Sequence, residues 1–378
     1  MKKLILGLYF VFLLLLTFFS YFFIDPNLSY FKSLYSEFIF LHRAITSVIY
    51  VLLVIFYFCF YLLFLKMYKE KKLTKKNVKW IICLTAFILF FSYPAMLSFD
   101  IFNYVLTSKV TFLYHENPYI IMPIEFIKDP LLSFTHGANK VALYGPSWIA
   151  LTVVPYFLGF GNFVSTLFNF KLLSLFFYLA VSWIINKISK DFISVLLFSL
   201  NPLVVIETLV GGHNDIAMMF FALFGLLLFL KKKVFLAFVL LVISIFIKYS
   251  TLFLLPVFAY ITFLKYKKIE TNWNIVYLSC TILMFIPFIL SPLREEIYPW
   301  YAIWFLSFAV LVPKNKFVLY ISLAFSFSLL FRYVPFMLFG TYFGVTPLIK
   351  TTVTFSPVVL TGAYLLIKEK LWLKKFSR

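Results

Sequence analysis

Five short stretches of this 378-residue chain set ionisable side chains beside turn-forming residues. They are "SFDIFNY" (98 to 104), "YHENPY" with "YGPSW" (114 to 119 and 144 to 148), "NPLVVIETLVGGHND" (201 to 215), "IKYSTLFLLP" (247 to 256) and "SPLREEIYPWY" (291 to 301). Between them they hold carboxylates, an imidazole and a lysine at the ends of apolar runs, groups suited to proton transfer and to holding anions. Asp100 poses the question most sharply. A carboxylate beside hydrocarbon is costly unless it has a partner, water or a task. If the preceding span continues as a helix, Asp100, Asn103 and Tyr104 share one face; the same residues also read as an interfacial helix cap with a belt tyrosine. The paired glycines of "GGHND" suggest a tight loop that lets His213, Asn214 and Asp215 face a cavity, or else a solvated hairpin turn. Glu207 lies inside an apolar run, where an unpaired ionisable group is functional by default. It precedes Asp215 by roughly two helical turns, so a continuous helix would put both on one wall.

The elements that position these residues are membrane spans. The chain is 63% hydrophobic and only 13% charged, more apolar surface than one water-soluble core of this length can hide, which predicts an all-α polytopic membrane protein. Met1-Lys2-Lys3 followed by a charge-free run to Ile24 resembles a signal peptide. With no small-x-small site before Asp25, it reads as a retained first span. Spans are expected at about 4–24, 45–65, 80–98, 192–209, 216–230, 234–247, 251–264, 273–290, 300–312, 317–332 and 350–367. With the unresolved stretch 147–186, that makes about 12–13 helices. The net charge of +20 falls in clusters between the spans: with Lys2 and Lys3, 24 of the 34 basic residues lie on one side, which predicts a cytoplasmic face and cytoplasmic termini. Nine of the 14 acidic residues and all four histidines fall on the other side, so the chemistry is expected outside a cell membrane. Cys59, Cys83 and Cys280 sit in apolar runs without metal-ligand spacing and read as packing residues.

Parity requires an odd number of crossings in 147–186, yet two apolar runs are present, 147–160 and 164–185. Either the first dips in and returns around a protein-lined cavity, or a further crossing lies in the preceding loop. That loop, 99–146, is too apolar for a solvated linker and is expected as short interfacial helices. Three segments follow: 1–79, two spans and a lysine-rich loop; 80–310, a catalytic module; and 311–378, C-terminal spans and a basic tail.

Taken in order, the Asp after a span in a large outer loop, Asn-Pro-Tyr, Tyr-Gly-Pro, Asn-Pro with Gly-His-Asn-Asp, and Lys-Tyr with a following Pro resemble the GT-C superfamily of membrane glycosyltransferases. The likeness covers roughly 80–310 and is greatest to multi-spanning mannosyltransferases of the actinobacterial lipoglycan and GPI types. The resemblance implies transfer of a hexose, mannose first, from a polyprenyl-phosphate sugar to an extracytoplasmic glycan or lipid acceptor with inversion, with no nucleic-acid partner. It makes Asp100 the general base. Lys248 becomes the cation facing the phosphate leaving group, with a snorkelling structural lysine as the other reading, and Arg294 is the reserve ligand unless Glu295 and Glu296 neutralise it. Asn103, Tyr104, Asn117, Tyr119, Tyr144, Glu207, His213, Asn214, Asp215, Trp300 and Tyr301 become donor- or substrate-binding candidates, the aromatic ones with Trp148 either stacking on sugar or forming the interfacial belt. Two departures stand out. The acidic motif is a lone Asp instead of Asp-x-Asp, which gives a divalent metal little support, and two spans precede the catalytic module instead of one.

A transporter or flippase of a lipid-linked or small polar substrate is the alternative, since many spans around buried charge describe both. Paired halves with interrupted helices at matching positions are missing, and the polar residues gather at one mouth. A glycan polymerase or ligase would need a large late outer loop. The absence of a Gly-rich phosphate loop argues against a nucleotide-sugar enzyme.

Overall fold

A computed structural model describes residues 2–25, 28, 36–133 and 135–376. Among these there is no strand; the chain folds into α1 (Lys2–Ser20), α2 (Ser36–Leu41), α3 (Arg43–Lys69), α4 (Lys75–Phe90), α5 (Asp100–Phe112), α6 (Pro146–Phe157), α7 (Phe163–Ser189), α8 (Phe192–Ser199), α9 (Pro202–Val205), α10 (Asp215–Leu230), α11 (Val234–Ile245), α12 (Leu255–Tyr266), α13 (Trp273–Leu290), α14 (Ala302–Ala309), α15 (Lys316–Phe331), α16 (Val334–Phe339) and α17 (Thr346–Phe376). Seven helical segments are long and apolar enough to cross a bilayer, and an eighth is the pair 192–199 and 202–210, bent by 58°. The protein is an all-α, multi-pass membrane protein.

The turns at the basic ends explain why the helices stop there. Thr74, Asp191, Asn272 and Asn315 each accept a backbone N–H with the side chain and start α4, α8, α13 and α15, satisfying donors that the first helical turn leaves free. Lys71, Lys190, Lys232 and Lys268 follow helix ends with φ of 58°, 54°, 60° and 57°. Glycine is the usual residue there; a lysine accepts roughly 1 kcal/mol of strain but places a cation at the negative end of the helix dipole.

The expectation of 12–13 spans meets fewer long helices because several apolar runs form short ones, some of them enclosed by protein. Of the two runs in 147–186, the first is α6, 12 residues and about 18 Å long, too short for a roughly 30 Å core; the second is α7, 27 residues. The run 300–312 becomes a 3-10 turn and the eight-residue α14, all of whose residues are buried. Its Phe305 packs edge-on against Phe285 and Phe325 and tilted against Phe288. α10 and α11 form a tight hairpin in which Gly225 lies so close to α11 that a Cβ there would sit 2.9 Å from the Ala237 carbonyl, the small-residue contact of membrane helices. The loop expected as interfacial helices holds α5 and short 3-10 turns at Pro123–Glu125 and Pro130–Ser133.

Candidate active site

The chain breaks twice to build one cluster. α4 ends at Phe90, and after a 3-10 turn at Pro94–Met96 a new helix begins at Asp100. Asp100 therefore opens α5 instead of closing a span. It is not the cap either: Phe99 holds that position, with no side-chain cap bond. The second break follows a π-helical turn, Ile206–Val210, a form often found at functional sites. Gly212 at φ +70° reverses the chain. Glu207 and Asp215 thus do not lie on one continuous helix, as spacing alone suggested, because the glycine pair interrupts it.

The turn throws His213 back between two carboxylates. Its Nδ1 lies 3.4 Å from Asp100 Oδ2 and its Nε2 3.3 Å from Glu207 Oε2. Neither contact has good hydrogen-bond alignment, so charge attraction dominates. Burial alone pulls the His213 pKa down, but the contacts with Asp100 and Glu207 outweigh it and raise the pKa to about 9. Burial likewise pushes Asp100 up, yet the close contact with His213, the charges of His213 and Lys248 and the Tyr144 hydroxyl hold it below the usual carboxylate range. Both groups lie in the breaks, outside the spans. Trp300 stacks on the imidazole at 3.9 Å, with Tyr298 on Trp300 at 4.6 Å, a cation–π arrangement that holds the charged ring. Trp300 is thereby packed into the protein, 5% exposed, and does not offer a face to sugar. Tyr333 donates to Glu207 Oε1 at 3.0 Å.

Beside this lies a second pair. Lys248 Nζ reaches both oxygens of Asp215 at 3.0 and 3.1 Å, and Trp304 Nε1 donates to the same carboxylate at 2.5 Å. Tyr301 stacks on Trp304 at 4.3 Å and Lys248 sits 4.7 Å from the Tyr301 ring. "YGPSW" is what brings Tyr144 here. Gly145 N–H donates to Ile247 O and Ser147 N–H to Phe246 O, and a Cβ on Gly145 would lie 2.1 Å from Phe246 O, so only glycine lets the two segments touch. Tyr104 packs edge-on against Tyr144 and Trp148 and receives the Asn214 N–H.

The structure thus brings together Asp100, Tyr104, Tyr144, Glu207, His213, Asn214, Asp215, Lys248, Trp300 and Tyr301; Asn103 is buried one turn further along α5, its side-chain carbonyl accepting from Thr107. It does not bring in Asn117, which is exposed and closes its own turn by accepting from Tyr119 N–H. Tyr119 braces Tyr144 from outside through its hydroxyl. Arg294 is exposed and paired with Glu295 at 3.6 Å. His213, Asn214 and Asp215 are sealed in, at most 1% exposed, so they line no open cavity. The accessible edge belongs to Asp100 and Lys248, whose side chains are 24% and 17% exposed. The imidazole stands between Asp100 and Glu207, and among the described residues no group of three or more His, Cys, Asp or Glu is arranged to hold a metal ion.

Sequence reading passed over Trp304, Tyr333, Arg332, Lys350 and Lys171. The last is fully buried and donates to Leu89 O at 2.8 Å, to Ser92 O, and to Ser92 Oγ at 2.7 Å, capping α4 where the chain turns toward Asp100. A lone lysine inside the run 164–185 and an arginine ending 317–332 were the signals available.

Buried carboxylates and cations gathered where two membrane helices break define a multi-pass membrane protein with an enzyme-like centre. Residues 4–264 match the MptA_B family, described as alpha-(1->6)-mannopyranosyltransferase, N-terminal domain, and the chain belongs to this family: it is a mannosyltransferase of the GT-C type. No curated protein and no solved structure gives a significant match.

Proposed function

We propose that the protein transfers mannose from a polyprenyl-phosphate donor to an extracytoplasmic glycan or lipid acceptor with inversion, using Asp100 as the general base. The observation that carries this reading is the difference in access within the cluster: Asp100 is 24% exposed where Glu207 and Asp215 are 1% and 0%. An acceptor hydroxyl can reach only the first. As its oxygen bonds to the anomeric carbon, the bond from that carbon to the phosphate oxygen breaks, the electron pair leaves with the phosphate, and the hydroxyl proton passes to Asp100. His213 keeps Asp100 ionised until that moment. Glu207 and Tyr333 hold His213 in turn, so these are positioning residues.

Membrane orientation follows the basic clusters, which favours cytoplasmic lysine-rich turns and an outward-facing Asp100. Transfer outside a cell membrane needs a donor that reaches that side, and a lipid-linked sugar does so where a nucleotide sugar does not. The test incubates purified protein and a mannose acceptor with a panel of polyprenyl-phosphate sugars and one nucleotide-activated mannose, following each donor by mass spectrometry. Consumption of polyprenyl-phosphate mannose with release of polyprenyl phosphate is the expected result. Consumption of the nucleotide donor alone would overturn the reading.

A further inference from the structure

The centre around His213 has no positive charge to spare. Even with His213 protonated, it and Lys248 face three carboxylates, Asp100, Glu207 and Asp215, and Lys248 is held by both oxygens of Asp215. A leaving phosphate needs a cation that is not already committed.

A second cluster has that surplus. Glu296 Oε1 accepts from Arg332 Nη2 at 2.7 Å and also from Lys350 Nζ. Two cations on one carboxylate oxygen leave one net positive charge. Arg332 caps the end of α15 and is 8% exposed; its Nη1 donates to Thr354 Oγ1 at 3.0 Å, while its Nε–H has no partner. Thr346, Lys350 and Thr354 repeat every four residues along one face of α17. Thr346, in its first turn, is fully buried with an unpartnered hydroxyl. Buried donors left unpaired are costly unless something fills them, and Thr346 stands at the positive end of a long helix, one turn before Lys350.

The depth is also right. α15 begins at Lys316 on the basic side, and Arg332 lies 16 residues further, about 24 Å on, toward the far edge of a roughly 30 Å hydrocarbon core and within reach of lipid phosphates there. Next to it, Tyr342, Phe343, Val345 and Leu348 are 57%, 81%, 57% and 70% exposed, so an isoprenoid tail can run directly into lipid. Two bridges join the cluster to the reaction centre: Tyr333, next in sequence to Arg332, bonds to Glu207, and Tyr298, two residues from Glu296, stacks on Trp300 against His213.

Resting on the donor reading above, we infer that Arg332 and Lys350, with Thr346, form the binding site for the phosphate of the polyprenyl-phosphate donor, and that Glu296 is the counter-ion this phosphate displaces. The site lies beyond the family match at 4–264.

The experiment measures binding of a short polyprenyl monophosphate to the full-length protein in nanodiscs, with phosphatidylglycerol in a parallel arm. Lys350→Gln should weaken polyprenyl phosphate on the order of tenfold or more, the loss expected for one charged hydrogen bond, and Lys350→Arg should restore most of it. Glu296→Gln removes the competing anion and should tighten binding severalfold, a gain that a purely structural ion cluster would not give. Unchanged affinity in well-folded Lys350→Gln, judged by thermal midpoint, would overturn the site while leaving the donor reading intact; an equal loss of phosphatidylglycerol would overturn its assignment to the donor. Failure of the wild type to bind polyprenyl phosphate at all would overturn the donor reading and this site together.

Discussion

His213 and Lys171 are both basic side chains sealed inside the protein, and they are buried by opposite means. His213 is surrounded by charge: two carboxylates at 3.3 and 3.4 Å and a stacked indole. Lys171 has only neutral oxygens, the carbonyls of Leu89 and Ser92 and the Ser92 hydroxyl. Carbonyl oxygens at a helix end carry partial negative charge and need donors, so Lys171 completes α4 and fixes the direction in which the chain leaves it. Around His213 the partners are themselves titratable, and one of them, Asp100, reaches the surface. A buried ionisable group is therefore not enough to mark chemistry; what marks it is a charged partner with access.

Substitutions in the two regions should separate these roles. The largest effect on stability is expected for His213→Leu, which strands Asp100 and Glu207 as unpaired carboxylates and should cost about 3–5 kcal/mol, read as a steep fall in thermal midpoint or loss of monodisperse protein. Wild-type stability would mean that the carboxylates have another partner. The wild type carries the same dependence in its pH profile. Folding raises the His213 pKa from 6.5 to about 9, so its contribution is complete below about pH 6.5 and is lost as pH rises through 9. The thermal midpoint should fall over that window, and a midpoint that rises or stays flat contradicts a protonated His213. Lys171→Met should cost less, about 1–3 kcal/mol for the carbonyls left unsatisfied, with transfer per folded molecule within a few-fold of wild type. A variant that folds normally but transfers a hundredfold more slowly would place Lys171 in the chemistry and erase the contrast. Smallest of all, Tyr333→Phe removes one bond to Glu207 and should cost about 1 kcal/mol, seen as a modest midpoint shift.

The same contrast explains what the sequence made legible. Apolar runs between lysine clusters were enough for an all-α membrane protein, and "GGHND", "YGPSW" and Lys248 were found because glycine, proline and charge stand out against a Phe-rich background. Asp100 is recognisable as a candidate, but its pairing with His213 is not: the paired glycines announce a turn at Gly212 without saying which groups that turn throws together. Lys171 and Arg332 were absorbed into apolar runs, because window averages hide one charge among twenty apolar residues. Their partners lie 79 and 36 positions away, distances over which local pattern carries no information. Arg294, the reserve phosphate ligand in sequence, is exposed and paired with Glu295, whereas Arg332 is buried.

The proton is the central claim, and Asp100→Asn isolates it. The amide keeps nearly the same volume but cannot take a proton from the acceptor. Single-turnover mannose transfer and binding of the polyprenyl-phosphate donor should be measured on one preparation of this variant. Transfer should fall by a factor on the order of 100 to 10,000 while donor affinity stays near that of the wild type, because the phosphate and lipid are held elsewhere. Transfer at the wild-type rate would contradict the account and leave Asp100 a structural partner of His213.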